Sequence, residues 1–434
     1  MDSPTCQPFA GHGGEKMIYD LRMGPQAVAA GDQVVIVYQA VEDSLLGHPH
    51  VITYNRRSRC WSLAARVGQV AGQDHHFGPI LWRDHQESWH LLYHCHFSPG
   101  VHLVSSRPED PAGWRPGPVI APSISYPSVW SLAGRRRLLV YRVEGHLGYW
   151  VYRLSRDGGA TWEGERLLLD FNYQAVDEVD QWAGEYLSVA IDPGGEAVHL
   201  GFCRWDERNG CHPRYRFKRE LLKRYSLYYL RLDPERGRLT SIEGRELAAP
   251  VNRRAAEACK VHDTGWELTN FPAIAADGAG GVVLIAPISE GDPWRCRFHC
   301  FRWEGGAWHG SAMVETDNTW NAVRLVAVDR RQITADLVIG QGKGEECFYG
   351  GGELQRWHSG DGGRSWHRGP SFVPQPGLLY NNPSPVHRAE GGVLDDAFVF
   401  YGWQGPGGVW ALPEYDTENR NRGLAWLWID GSWA

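Results

Sequence analysis

The stretch Ser155-Arg-Asp-Gly-Gly-Ala-Thr-Trp162 returns later in the chain as Ser359-Gly-Asp-Gly-Gly-Arg-Ser-Trp366. Both copies read Ser-x-Asp-x-Gly-x-Thr/Ser-Trp. Glycine supplies the positive φ of a tight turn, while Ser and Asp side chains accept hydrogen bonds from nearby backbone amides. The tryptophan can bury its ring against a neighbouring sheet. The motif predicts a tight turn that joins two strands in the outer half of a repeated β unit.

A longer repeat surrounds these turns. Each copy starts with a polar or aromatic residue and continues through an apolar strand, a turn and a second apolar strand. Seven copies begin at Gln26, His76, Tyr126, Tyr186, Phe271, Asn321 and Asn382. The starts lie 50, 50, 60, 85, 50 and 61 residues apart, near the roughly 40–50 residues of a four-stranded propeller blade. We therefore predict an all-β, seven-bladed β-propeller of four-stranded antiparallel blades, and the short turns match the Asp-box of sialidase-like propellers.

Composition supports one closed ring. The 434 residues include 52 Gly and 26 Pro, which punctuate many short strands. Only Lys218 to Tyr225 reads as a short helix, and no Pro/Ser-rich linker divides the chain. We predict one domain over residues 1–434, because a ring grows by adding blades. The segment Lys16–Asp20 is expected to complete the last blade alongside Leu424–Trp428, since an unpaired edge strand is a liability.

Charge restricts the partners. The formal net charge is −7, which argues against a nucleic-acid or membrane-surface partner that needs a basic field.

No apolar run approaches the roughly 20 residues of a membrane-spanning helix. The first residues lack the basic and apolar regions of a secretion signal, so the chain is either cytoplasmic or, if a signal was removed, secreted or periplasmic. Nine cysteines in no dense spacing do not imply a disulfide framework.

Three consecutive hairpins carry paired side chains that can act on an acidic sugar. The separations within the pairs are 20, 16 and 18 residues, about two antiparallel strands and a turn. Each pair should therefore lie at one end of its hairpin, and a ring would bring all six side chains together. The pairs are His76 with His96, Tyr126 with Arg142, and Tyr186 with Arg204.

Five short segments in residues 70–205 carry a resemblance to a known enzyme family. They are Asp74-His-His-Phe-Gly-Pro79, Trp89-His-Leu-Leu-Tyr-His-Cys-His96, Ser125-Tyr-Pro127, Leu139-Val-Tyr-Arg142 and Val198-His-Leu-Gly-Phe-Cys-Arg204. Their order resembles the seven-bladed polysaccharide lyases that cleave ulvan and related rhamnose–glucuronate polymers. The resemblance implies an active site of His76, His96, Tyr126, Arg142 and Arg204, with Tyr186 as a further contact. Alternation along a strand would let only one of His75 and His76 point inward; we choose His76 and assign His75 to substrate binding.

These residue types suit β-elimination from a uronate. Removal of the C5 proton pushes charge into the adjacent carboxylate, which must be stabilised as it becomes enolate-like. Arg142 and Arg204 suit this task, because guanidinium binds a carboxylate bidentately and stays charged. A base must take the C5 proton and an acid must protonate the departing O4. We assign these roles to His76 and a Tyr126 made more acidic by arginines, with His96 orienting the sugar or sharing the proton transfer. Which of His76 and Tyr126 is the base stays open.

An inserted loop at about 205–225 is rich in positive charge and is expected to steer a polyanion or simply to be solvated. Cys211 and His212 in this loop, with Cys259 and His262, would supply two sulfurs and two imidazoles to a structural zinc. The chemistry itself requires no cofactor.

Other functions remain open. The acidic run Asp177-Glu-Val-Asp180 with Glu185 would suit a calcium site or a glycosidase with paired carboxylates. A sialidase is disfavoured, because no Phe/Tyr-Arg-Ile-Pro segment precedes the Asp-boxes. A hydrolase that releases rhamnose from glucuronate and a non-enzymatic sugar-binding propeller are the alternatives to a lyase. The sequence does not specify the polymer, endo or exo cleavage, glucuronate or iduronate, or the oligomeric state.

Overall fold

Nearly all regular structure in the chain is β-strand. The computed structural model describes residues 7–10, 18–41, 46–72, 74–107, 110–175, 183–206, 224–277, 280–340, 349–404 and 423–434. Its helices are one turn of α-helix and three 3₁₀ turns, namely α1 (Arg253–Ala256), His75–Phe77, Ala133–Arg135 and Glu257–Cys259. None of the helices in these ranges is long and apolar enough to cross a membrane. The all-β prediction is confirmed.

Consecutive strands pair antiparallel in runs that follow the sequence repeat. The first four runs are β1 (Ala27–Ala30), β2 (Gln33–Ala40), β3 (His48–Asn55), β4 (Cys60–Trp61) and β5 (Ala65–Arg66); β6 (Ile80–Arg83), β7 (Trp89–Tyr93), β8 (Val101–Arg107) and β9 (Asp110–Pro116); β10 (Ser125–Ser131), β11 (Arg137–Val143), β12 (Tyr149–Ser155) and β13 (Arg166–Leu169); and β14 (Ala183–Ile191), β15 (Val198–Asp206), β16 (Arg224–Asp233), β17 (Arg238–Thr240), β18 (Glu246–Leu247) and β19 (Lys260–His262).

The remaining runs continue the same order. They are β20 (Ala273–Ala276), β21 (Val282–Asp292), β22 (Arg295–Glu304) and β23 (Ala307–Thr316); β24 (Val323–Val328), β25 (Ile333–Gly340), β26 (Gly352–Ser359) and β27 (His367–Phe372); and β28 (Leu378–Arg388), β29 (Val393–Gln404), β30 (Leu424–Ile429) and β31 (Ser432–Trp433).

The first strands of five of these runs line a cavity of about 750 Å³. Its lining comes from β10, β14, β20, β24, β28 and the residues just before β1. The second strands are buried on both faces: Val34, Val35, Ile36 and Val37 of β2 are all 0% exposed. A strand covered on both sides lies between two packed sheets. The runs are therefore sheets packed face to face around a central axis, which is a propeller-like arrangement.

The two ends of the chain meet, although not through the predicted segment. β1 pairs in parallel with β28, and the backbone N–H of Phe9 donates to the Ala425 carbonyl of β30 at 2.9 Å. Lys16 and Met17 lie outside the described residues, and Ile18–Asp20 is not a strand. The predicted pairing of Lys16–Asp20 with β30 is therefore wrong for its described part. The Ile18 carbonyl instead accepts a hydrogen bond from the Gln39 amide at 2.7 Å. The residues that follow, from Asp20 to Gln26, line the cavity.

The predicted helix at Lys218–Tyr225 is wrong where it can be examined. Residues 207–223, which hold most of the inserted basic loop, lie outside the described residues. Arg224 and Tyr225 begin strand β16 and pair with Trp205 and Arg204 of β15. The ladder with β15 overrides the local helix preference of the sequence.

Both Asp-box motifs form the predicted turns, between β12 and β13 and between β26 and β27. Asp157 accepts hydrogen bonds from the Ser155 hydroxyl at 2.7 Å and from the Thr161 amide and hydroxyl at 2.9 and 2.6 Å. Asp361 repeats this pattern with the Ser359 hydroxyl and with the amide and hydroxyl of Ser365. The turns lie away from the cavity-lining strands, which favours a structural role.

We expect Asp157→Ala to lower the free energy of unfolding by about 1 kcal/mol, because amide and hydroxyl donors of the turn lose their acceptor. Urea denaturation measures the change, and Asp157→Asn should lose less because it keeps one acceptor oxygen. Asp395→Ala, which removes an exposed carboxylate of β29, is the control. Equal stability of Asp157→Ala and the parent chain would contradict a structural role for the turn.

Candidate active site

Asp74 joins two histidines through one carboxylate. It caps the 3₁₀ turn His75–Phe77 by accepting the His76 amide. Its Oδ1 lies 2.5 Å from Nδ1 of His76, and its Oδ2 lies 2.7 Å from Nδ1 of His96. Burial opposes ionisation of Asp74, but the hydrogen bonds from the two histidines outweigh it and hold its pKa well below the usual range. Since a carboxylate only accepts, both Nδ1 atoms carry hydrogen and each Nε2 is left for chemistry.

Tyr126 donates its hydroxyl proton to the free nitrogen of His76. The Tyr126 oxygen lies 2.8 Å from Nε2 of His76 and accepts a longer bond from Arg22 at 3.3 Å. Burial lowers the pKa of His76 to about 4, although Asp74 opposes the shift. His76 is therefore neutral near pH 7 and able to accept a proton. Tyr126 also has a φ of +54°, an uncommon conformation for a bulky residue that marks a constrained position.

The expectation that arginines make Tyr126 more acidic is not met. Burial raises the pKa of Tyr126 and outweighs the nearby Arg22 and Arg142. Tyr126 therefore keeps its proton near neutral pH and stands as a hydrogen-bond donor.

Both His75 and His76 point inward. The prediction that only His76 does so is therefore wrong. The pair lies in a 3₁₀ turn rather than a strand, and strand alternation does not apply. Nε2 of His75 accepts from Arg22 at 2.9 Å. Arg22 forms a buried ion pair with Asp20. Asp20 and Arg22 were missed by sequence reasoning, because no motif marks the segment before β1.

Arg142 is fully buried between two tyrosine rings. Its guanidinium carbon lies 4.6 Å from the Tyr126 ring centre and 5.0 Å from that of Tyr186. The guanidinium is 0% exposed and makes no hydrogen bond of ordinary geometry to the described residues. The predicted proximity of Tyr126, Arg142 and Tyr186 is thus present in the structure.

Arg224, not Arg204, stands over Tyr186. In the β14–β15 ladder Tyr186 pairs with Cys203, and Glu185 pairs with Arg204. Neighbouring residues on a strand face opposite sides, so the structure does not bring Tyr186 and Arg204 together. Arg204 lies 5.4 Å from the Tyr225 ring. The 18 residues between Tyr186 and Arg204 in the sequence do not specify the strand register. A shift of the register by one residue moves a side chain to the opposite face of the sheet.

Arg224 comes from the start of β16, immediately after the residues outside the described structure. Its guanidinium lies 4.2 Å from the Tyr186 ring and 4.5 Å from the Trp320 ring. Because the sequence predicted a helix here, Arg224 was not identified as a site residue.

An open cleft of about 510 Å³ borders His96. It is lined by His96, Phe97 and the β11–β12 turn, residues 144–148. The Phe97 ring is 52% exposed and lies 4.0 Å from the His96 ring. His146 of the turn also lines the cleft and contacts Trp205 at 5.1 Å between ring centres. Phe97 and His146 were not predicted, although an exposed aromatic ring beside His96 suits the apolar face of a sugar.

Two overlapping groups have ligand atoms close enough for a metal ion, namely Asp20 with His75 and His76, and Asp74 with His76 and His96. In the structure the Nδ1 atoms of the second group are hydrogen-bonded to Asp74.

The predicted zinc site lies partly outside the described residues. Cys211 and His212 belong to that part. Burial raises the pKa of the Cys259 thiol to about 12, and the His262 ring packs 4.9 Å from Phe301. The zinc site stays a prediction.

The acidic run Asp177–Asp180 also lies outside the described residues. Glu185 is described and is 0% exposed, and burial raises its pKa well above the usual range. Burial disfavours the charged form of this carboxyl, which does not favour a calcium ligand.

Comparison with known proteins identifies the family. The model of the BNR repeat-containing family matches residues 28–315. An ulvan lyase of Pseudoalteromonas sp. (strain PLSV) is 25% identical over 304 residues, 61% of this chain and 59% of that protein. An ulvan lyase of Nonlabens ulvanivorans is 22% identical over 401 residues, 84% of this chain and 81% of that protein. The chain thus spans about six tenths of the first relative, and the resemblance inferred from the five segments is confirmed.

A solved structure of a polysaccharide lyase PL25 ulvan lyase has a TM-score of 0.79 at 17% identity and covers 98% of this chain and 96% of that one. A second, bound to -[GlcA(1-4)Rha3S]-, has a TM-score of 0.77 at 17% identity, with the same coverage. These likenesses establish the propeller-like fold. Because the family model matches well over half of its residues, this chain belongs to the BNR repeat-containing family.

Proposed function

We propose that the chain is a polysaccharide lyase that cleaves a uronate-containing anionic polysaccharide of the ulvan type by β-elimination, on a seven-bladed propeller. The observation that carries the proposal is the hydrogen bond from Tyr126 to a neutral His76 held by Asp74. The curated relatives are ulvan lyases, and one related structure holds a glucuronate–sulfated rhamnose unit. Both support this substrate class.

The Tyr126–His76 pair can move one proton from C5 to O4. His76 takes the C5 proton, the C4–O4 bond breaks as the C4–C5 double bond forms, and Tyr126 protonates the departing O4. This leaves an imidazolium beside a phenolate, 2.8 Å apart between Nε2 and the oxygen. Return of the proton along the same hydrogen bond restores the resting pair without an external donor.

Positive charge behind the pair stabilises the enolate-like intermediate. Arg22 and Arg142 flank Tyr126, with guanidinium carbons 4.5 and 4.6 Å from its ring centre. Fixed charges in a buried site act without reorganisation as the substrate carboxylate gains electron density. Arg204 is partly exposed, and we assign it to a neighbouring anionic group of the polymer rather than to the reacting carboxylate.

The carboxylates of the described site favour elimination over hydrolysis. A glycosidase needs one carboxyl as acid and another as nucleophile or base. Asp20 is engaged by Arg22, and both oxygens of Asp74 are engaged by His76 and His96. Neither of these carboxylates lines the open cleft, whose lining holds one carboxyl, Glu144, rather than the pair that a glycosidase needs.

We expect His76→Ala and Tyr126→Phe each to lower kcat by about 10²–10⁴-fold on ulvan, because each removes one end of the proton path. The measurement is the ultraviolet absorbance of the 4,5-unsaturated uronate product. His309→Ala and Tyr173→Phe, both at exposed positions, are the controls. Reducing sugar without this absorbance would identify a hydrolase, and binding without either product would identify a lectin.

Phe97→Ala should raise KM about 3- to 10-fold with little change in kcat, because the ring offers a stacking face remote from the proton path. Phe97→Tyr keeps the face and should behave like the parent chain. Steady-state kinetics on the same polymer measures both constants. A large loss in kcat with unchanged KM would contradict a role in sugar binding.

A further inference from the structure

The cleft beside His96 lies next to the proton pair of Tyr126 and His76. Its volume of about 510 Å³ falls within the roughly 300–1,000 Å³ of small-molecule sites. The ring centres of His96 and His76 are 4.1 Å apart, but neither His76 nor Tyr126 lines the cleft. A sugar ring in the cleft would therefore be a neighbour of the reacting uronate rather than the uronate itself.

Phe97 supplies an aromatic wall whose position is fixed. Its amide donates to the Ser125 hydroxyl at 3.2 Å, and its ring stacks on the His96 ring. The φ of Phe97 is +54°, an uncommon conformation for a bulky residue that marks a constrained position. An exposed aromatic face held in this way suits the apolar face of a pyranose ring.

The β11–β12 turn supplies the remaining wall, and it is tightly built. The Gly148 amide donates to the Gly145 carbonyl at 2.8 Å. A Cβ on Gly148 would lie 2.0 Å from the carbonyl oxygen of Val143, and a Cβ on Gly145 would lie 3.5 Å from the Phe97 ring. The turn thus needs glycine at position 148 and packs close to Phe97. It holds Glu144 at a φ of +65°.

Glu144 gives the cleft a negative charge. Its side chain is exposed, and the described residues that line the cleft include no lysine or arginine. A second carboxylate lies nearby: burial chiefly raises the pKa of Asp170, and the charge of Glu144 raises it further. The other titratable side chains of the lining are His96 and His146, which can exchange hydrogen bonds with sugar hydroxyls.

This charge discriminates between a sulfate ester and a hydroxyl. A sulfate ester is permanently negative, and two like charges about 4 Å apart in water weaken binding by about fivefold. A hydroxyl can instead donate a hydrogen bond to the carboxylate. A repulsive group of this kind is a common source of specificity.

We propose that the cleft receives an uncharged, unsulfated pyranose ring next to the reacting uronate, and that Glu144 excludes a sulfate ester from this position. Glu144 is then a specificity-determining residue. The proposal rests on the proposed lyase function and narrows its substrate class to uronate polymers in which this neighbouring sugar carries free hydroxyls. Arg204 does not line the cleft, so its assignment to an anionic group elsewhere on the polymer is unaffected.

The test is a cycle of two enzymes and two polymers. Native ulvan and the same ulvan desulfated by solvolysis are compared by kcat/KM, measured from the unsaturated product, for the parent chain and Glu144→Gln. We expect Glu144→Gln to raise kcat/KM on the native polymer relative to the desulfated one by about 3- to 10-fold. The same ratio of the two polymers in both enzymes, or a shift in favour of the desulfated polymer, would overturn the proposal.

Glu243→Gln is the matched control, because it removes an exposed carboxylate from the turn between β17 and β18 and changes the net charge equally. It should leave the ratio of the two polymers as in the parent chain. Glu144→Asn is a second test variant, since asparagine tolerates a positive φ, and it should act like Glu144→Gln. An equal shift in Glu243→Gln would show a general charge effect and overturn the role of Glu144.

Salt provides an independent readout. At about 1 M NaCl the screening length is about 3 Å, so the effect of Glu144→Gln on the ratio should fall below about twofold. An effect that keeps its full size at this salt concentration would contradict repulsion between charges.

Binding separates this proposal from the lyase proposal. Calorimetric titration of the parent chain and Glu144→Gln with both polymers returns the same comparison without turnover if neither polymer yields product. Absence of unsaturated product, with the Glu144 effect present in binding, would overturn the lyase proposal alone. Unsaturated product with no Glu144 effect would overturn the specificity role alone.

Discussion

One carboxylate, that of Asp74, organises the proton chemistry of the site. It accepts Nδ1–H from His76 with one oxygen and from His96 with the other. The two histidines come from a 3₁₀ turn before β6 and from the segment after β7, so this bond also joins the two ends of a hairpin. Fixing the Nδ1 hydrogens leaves each Nε2 available, and the direction of the Tyr126–His76 bond follows from that choice of tautomer.

Aromatic rings surround much of the buried positive charge. Arg142 stacks between Tyr126 and Tyr186, and Arg224 stacks on Tyr186 and Trp320. Cation–π contacts partly compensate a buried cation without cancelling its charge. A carboxylate partner would neutralise the arginine before a substrate arrived. Arg142 therefore keeps its positive charge beside the Tyr126 ring.

The sequence predicted the parts of the site that depend on repeat spacing. The repeat placed His76, His96, Tyr126 and Arg142 at the same end of neighbouring hairpins, and these side chains lie together. The prediction was wrong where local backbone geometry determines the direction of a side chain. The 3₁₀ turn directs both His75 and His76 inward, and the β14–β15 register separates Tyr186 from Arg204. Arg22 and Arg224 lie outside the repeated hairpins, in a pre-strand segment and at a strand start, where no spacing rule applies. Contacts of that kind are fixed only by the assembled tertiary structure.

Closure of the chain and completion of the site depend on the same short segment. Asp20 and Arg22 follow Tyr19, whose hydroxyl donates to the Asn382 carbonyl of β28 at 2.8 Å and whose ring packs on Tyr401 of β29. The Ile18 carbonyl is bound by the Gln39 amide of β2. The segment that delivers Arg22 to Tyr126 and His75 is therefore held by the first and last runs together. Before the first and last runs pair, Asp20 and Arg22 are not shielded from water, so their buried ion pair does not form. The position of Arg22 beside Tyr126 therefore depends on the closed fold.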